Sequence, residues 1–118
     1  MNNKKIPLPY LEDIFLSLKR IQEYLRVIYH DKKAFLGNSE KQDAIIRRLE
    51  LIGEATKRLE PDFRNEFPSI PWKQMAGLRD VLIHEYDEID LEQVWEVIVH
   101  DLPALQNQIE EVIRQLGK

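Results

Sequence analysis

The chain has 118 residues with 43% hydrophobic content, which suits one compact domain with a sizeable core and leaves little room for two. It has no cysteine, which excludes disulfides, thiolate zinc centres and cysteine nucleophiles. The formal net charge is −4, unevenly placed: residues 1–84 carry 15 Lys/Arg against 12 Asp/Glu, and residues 85–118 carry 2 against 9. Affinity for nucleic acid rests largely on phosphate neutralisation, so this balance excludes a broad nonspecific binder. A nucleic-acid ligand would need a local basic cleft, with the acidic tail pointing elsewhere. The alternative is that the charges only solvate helix faces. No apolar run approaches the roughly 20 residues of a membrane span. The N-terminus MNNKKIPLPY lacks the apolar stretch of a signal peptide. A soluble, cytoplasmic protein is expected.

Leu11, Ile14, Phe15, Leu18, Ile21, Leu25 and Ile28 recur every three or four residues, the period of one helix face. They predict a first helix over 8–30. Asp31 to Asn38, with Gly37 and Asn38 together, reads as a stop and turn. Ser39 is expected to open a second helix, with Gln42 three residues on as in a capping box. Its inward face is Ile45, Leu49, Ile52 and Leu59, and it should end at Glu60 before Pro61. Gly53 sits in mid-helix, where it costs about 1 kcal/mol relative to Ala; close approach of another helix or of a ligand is the expected reason.

Residues 61–77 carry Pro61, Pro68 and Pro71 and read as compact and irregular, with Pro71 in the first turn of a short helix. Trp72 and Phe67 are expected to pin this segment to the bundle, the alternative being a Trp72 that stacks on RNA. A helix over 78–85 follows, then Asp90 as an N-cap. The last apolar series is Leu91, Val94, Trp95, Ile98, Leu102, Leu105, Ile109, Val112 and Leu116. It is helical throughout, and Pro103 must kink or split it near residue 100, where Asp101 could cap a second piece. No strand alternation or internal repeat is evident. The fold expected is all-α, an antiparallel bundle of four or five helices in a single domain over 1–118.

One cluster suggests chemistry: Arg79-Asp80-Val81-Leu82-Ile83-His84-Glu85-Tyr86. Arg79 and His84 are separated by about 140° on a straight helix, so they do not stack on one face. They can converge if the helix ends near His84, or if a second subunit folds its copy against the first. Histidine is the side chain best suited to moving protons near neutral pH. It can take the proton of a ribose 2′-hydroxyl or supply one to the leaving 5′-oxygen. Arginine binds two phosphate oxygens at once and stays charged. That scheme needs no metal. By spacing alone, a salt bridge and a helix-end histidine are the commoner explanation of such a pair.

The stretches DAIIRRLELIGEATKRL (43–59) and FPSIPWKQMAGLRDVLIHEYDEIDLEQVWEVIVHDLP (67–103) resemble the HepT family of the HEPN superfamily. Most specific is Arg-x-x-x-x-His-x-Tyr, present as Arg79, His84 and Tyr86, after Ala76-Gly77-Leu78 and before Asp90-Leu91 and Val94-Trp95. The resemblance implies a HEPN bundle that homodimerises so that both motif copies line one cleft. It implies a toxin ribonuclease acting on mRNA or tRNA, with Arg79 and His84 as the catalytic pair. It further implies a partner, a minimal nucleotidyltransferase antitoxin of the MntA type. This partner transfers AMP from ATP to Tyr86, silences the nuclease and can join a larger hetero-oligomer with it. Asp80 takes the place of the polar residue that follows the motif Arg in the superfamily. It could hold Arg79, tune His84 or repel phosphate. Glu54, in Gly53-Glu54-Ala55, could line the same cleft or simply face solvent. The competing readings are a non-catalytic HEPN module that binds nucleotides, RNA or a partner, and a purely structural dimer.

His30 and His100 do not make a metal spacing with His84, and both read as structural or exposed. Asp87 and Asp90 read as turn and cap rather than a Mg²⁺ site. No metal is expected. With no Gly-rich phosphate loop and no Gly-Lys-Ser/Thr sequence, no cofactor is expected either, and ATP is left to the antitoxin.

Overall fold

A computed structural model describes residues 6–78, 80 and 89–117. Helix α1 is Pro7–Val27; Pro7 opens it at a position where the missing N–H is harmless. Leu11, Ile14, Leu18, Ile21 and Leu25 are fully buried along one face, and Phe15 packs against the core half-buried. The helix stops in a tight turn where Tyr29 and His30 adopt φ of 56° and 53°. Left-handed backbone at two successive non-glycine residues is uncommon and unfavourable. The His30 N–H donates to the Leu25 carbonyl at 2.8 Å, which helps to fix the turn.

The expected turn at Asp31 to Asn38 contains a helix, α2, Lys32–Leu36. Asp31 caps it by accepting from the Lys33 N–H, and Phe35 is fully buried with its ring 5.5 Å from that of Trp95. Helix α3 is Ser39–Arg58, with Asn38 rather than Ser39 as its N-cap: the Asn38 side chain accepts from Lys41 N–H at 3.0 Å. The capping box does not form. The Gln42 amide instead donates to the carbonyls of Phe35 and Leu36 at 2.9 and 3.0 Å, tying α2 to α3. Ile45, Leu49, Ile52 and Leu59 are buried as expected. Thr56, also buried, donates its hydroxyl to the Ile52 carbonyl at 2.7 Å. That bond makes a polar side chain tolerable in the core.

Residues 61–77 are more regular than their prolines suggest. They hold α4, Pro61–Asn65, and α5, Trp72–Ala76, each one short turn of helix. Helix α6 is Leu91–Glu96, capped by the Asp90 carboxylate, which accepts from Gln93 N–H at 3.1 Å as the sequence indicates. It runs into a π-helical turn, Val97–Asp101, and then α7, Leu102–Leu116. Pro103 accounts for the turn: it has no N–H to donate four residues back, and the widened ladder absorbs the break. The Leu102 N–H reaches the Val97 carbonyl, a five-residue step. Asp101 makes no side-chain cap and lies within the continuous helical rod, so of the two outcomes open at Pro103 the helix is disturbed rather than split.

Helices α1 and α3 run antiparallel. Tyr24, near the end of α1, lies under the Lys41 ammonium at the start of α3, while Tyr10 and Asp13 line one depression with Arg58 at the opposite ends. Glu12 and Lys19 of α1 line one depression with Glu110 and Arg114 of α7. The result is an all-α bundle built on α1, α3 and α7, with α5 packed on α3. No helix is long and apolar enough, among the described residues, to cross a membrane.

Candidate active site

The Arg-x-x-x-x-His-x-Tyr stretch is approached through a firmly built segment. Trp72 is buried, and its indole N–H donates to the carbonyls of both Arg64 and Phe67 at 3.0 Å. Its ring lies against Phe63, which in turn packs on Phe67. A tryptophan held this way has no free face for a base, so the RNA-stacking alternative is set aside. Met75 and Leu78 are also buried, and Gly53 brings α3 against the backbone of α5: a Cβ there would stand 3.3 Å from the Ala76 carbonyl oxygen and 3.4 Å from that of Met75. The close approach expected of this mid-helix glycine is therefore to another helix. Asp80 N–H donates to the Gly77 carbonyl at 2.9 Å, which carries the chain into the motif. On the far side, the Asp90 cap fixes the start of α6. Helix α6 is further tied to α2 by Lys32 and Glu92, 2.6 Å apart. This hydrogen bond outweighs the opposing desolvation and, with the charges of Glu92 and Glu96 adding to it, raises the Lys32 pKa above its ordinary 10.5.

Arg79, His84 and Tyr86 lie outside the described residues, as do Asp87 and most of the helix expected over 78–85. Of the expected site residues, Asp80 is described. It is exposed and lies on the rim of a groove of about 790 Å³ between α5 and the rod formed by α6, the π-helical turn and α7. Glu54 lines a different depression, between α1 and α3, with Arg48 and Arg58. The two carboxylates therefore do not share one groove. His30 is exposed in the left-handed turn after α1. His100 is exposed on the π-helical turn, 3.6 Å from the Glu96 carboxylate, and lines the same groove as Asp80. Among the described residues no three His, Asp or Glu side chains gather as a metal site would require.

The groove is the feature that reading the sequence missed. Its floor is apolar, from Met75, Leu78, Val97 and Leu102, and its rim is polar. The signal available in the sequence was Pro103: the disturbed ladder it causes places His100 and Asp101 on the groove wall.

The Ribonuclease HepT-like family matches residues 14–112. A protein of Thermococcus cleftensis named as a probable ribonuclease HepT is 41% identical over 103 residues, 87% of this chain and 92% of that protein. A candidate RNase of Methanocaldococcus jannaschii is 41% identical over 113 residues, 96% of this chain and 92% of that protein. Another protein of the same organism, named as a gamma-glutamylcyclotransferase and candidate RNase, is 41% identical over 109 residues; the match spans 48% of its length. No solved structure matches the chain significantly.

Proposed function

The chain belongs to the HepT-like ribonuclease family, and on that premise we propose that it cuts RNA without a metal, using Arg79 and His84. The observation that carries the reading is the family match across residues 14–112, which spans the complete Arg79, His84 and Tyr86 motif. The chemistry is an internal displacement. The ribose 2′-oxygen attacks phosphorus, the bond to the 5′-oxygen breaks, and the products are a 2′,3′-cyclic phosphate and a 5′-hydroxyl. One histidine takes the 2′ proton and one protonates the leaving oxygen, roles that two copies of His84 divide across a homodimer. Arg79 binds the phosphate oxygens as charge builds on them. Asp80 supports this pair from the rim of the adjoining groove.

The biological setting is a type VII toxin–antitoxin pair in the cytoplasm, with mRNA or tRNA as the target. A minimal nucleotidyltransferase antitoxin transfers AMP from ATP to the Tyr86 hydroxyl and releases pyrophosphate. An AMP group two residues from His84 adds bulk and negative charge where an RNA phosphate must enter, and so silences the nuclease.

The test is RNA cleavage by the purified protein in EDTA, with and without prior AMP transfer by the antitoxin. The proposal requires cleavage that AMP transfer suppresses, and a Tyr86→Phe variant that still cleaves but resists silencing. A protein that binds RNA and never cuts it would instead be a non-catalytic binding module.

A further inference from the structure

We propose that the groove between α5 and the α6–α7 rod is a base-reading subsite, one that seats a nucleobase of single-stranded RNA beside the cleaved bond. The inference rests on the ribonuclease reading and adds a specificity determinant to it.

Three observations favour a nucleobase. First, Leu78 and Asp80, the two chain neighbours of Arg79, both line the groove, so it adjoins the motif through the chain itself. Second, its layout suits a flat heteroaromatic ring. The floor of buried Met75, Leu78, Val97 and Leu102 is apolar, while Gln74 stands on one wall and Gln93 and His100 on the other. A volume of about 790 Å³ leaves room for a base and its sugar. An apolar bed takes the face of a base, and amide and imidazole groups can bond its edge. Third, the charge is wrong for a phosphate track. Lys73 stands against Asp80 and Asp101, a net charge of −1, so the groove would repel a phosphate backbone rather than hold one. Carboxylates can instead accept from the exocyclic amino group of a base. The π-helical turn completes the wall, bringing Val97, His100 and Asp101 to the groove together.

Gln74, Gln93 and His100 are the specificity residues. They act on which RNA is chosen rather than on proton transfer. The experiment uses 2′-O-methyl oligonucleotides, which lack the attacking hydroxyl and so report binding free of cleavage. A set of these differing at single positions is titrated against the parent and against Gln74→Ala, Gln93→Ala and His100→Ala. Circular dichroism confirms that each variant is folded. The parent is expected to prefer one base at one position by about tenfold. The variants should compress that preference to about twofold.

No base preference in the parent, or one that survives all three substitutions, overturns the subsite even if the protein cleaves RNA. A preference that the substitutions erase, in a protein that never cleaves, supports the subsite and rejects the nuclease. Substitutions that change the oligomeric state and leave RNA binding untouched would assign the groove to a second copy of this chain, and the subsite fails.

Discussion

Gly53 and Ala76 are held so close that the first carbon of any side chain at position 53 would stand 3.3 Å from the Ala76 carbonyl oxygen. This contact seats α5 on α3 just ahead of Arg79. Two effects oppose each other at this position. Alanine gains about 1 kcal/mol in helix propensity over glycine, but its Cβ asks the α5 backbone to move by a few tenths of an ångström. Gly53→Ala is therefore expected to change the unfolding free energy by less than about 1 kcal/mol. Gly53→Leu cannot be absorbed and should lose about 1–3 kcal/mol as overpacking. Urea denaturation measures both. A leucine variant as stable as the parent would contradict the packing described.

Phe35 tests whether α2 is part of the core. Its side chain is fully buried against Trp95, in a segment whose sequence resembles a loop. Phe35→Ala should cost about 3–5 kcal/mol. A loss below about 1 kcal/mol, the range of ordinary surface changes, would mean that α2 is dispensable.

Trp72 is expected to matter for stability and not for RNA. Trp72→Phe keeps an aromatic ring but removes the N–H shared by Arg64 and Phe67. The loss should be about 1–2 kcal/mol, that of a buried hydrogen bond. RNA affinity should not change. A large fall in affinity without a fall in stability would return Trp72 to the binding surface.

The Lys32–Glu92 pair gives a pH dependence with a definite sign. The folded state holds the Lys32 proton more tightly than the unfolded chain does, so its pKa is raised. The stabilisation is fully present below pH 10.5, the ordinary lysine value, and is lost as pH rises through the raised value. Both side chains are exposed, at 46% and 62%, so the effect is small and screened by salt. Thermal unfolding at low salt should show the parent losing more stability than Glu92→Gln between neutral and strongly alkaline pH. Equal losses would remove the pair as a tie between α2 and α6.

What the sequence reveals divides along physical lines. Long apolar periods set the interior faces of α1, α3 and α7, because a 3.6-residue repeat sustained over several turns buries one stripe of a helix and fits no strand or turn. Phe35 could not be recognised this way, since a five-residue helix shows no period and its burial depends on Trp95, sixty residues away. Ser39 and Asn38 are both good caps; Asn38 takes the role, and the Gln42 side chain is bonded to the α2 carbonyls instead of completing a capping box. Pro103 announced a disturbance, but whether the helix splits or widens depends on tertiary packing. The groove escaped notice because its walls, α5 and the π-helical turn, are far apart in sequence. Arg79, His84 and Tyr86 stood out through family resemblance, since their spacing alone favours a salt bridge over a catalyst.

The central claim is proton transfer by His84 at an RNA phosphodiester. Its most direct test is single-turnover cleavage of a defined RNA in EDTA by the parent and by His84→Ala, with product ends identified by mass spectrometry. The parent should leave 2′,3′-cyclic phosphate ends, and the variant should cut at least about 100-fold more slowly, at unchanged helicity and oligomeric state. A His84→Ala protein that cuts as fast as the parent would contradict the claim.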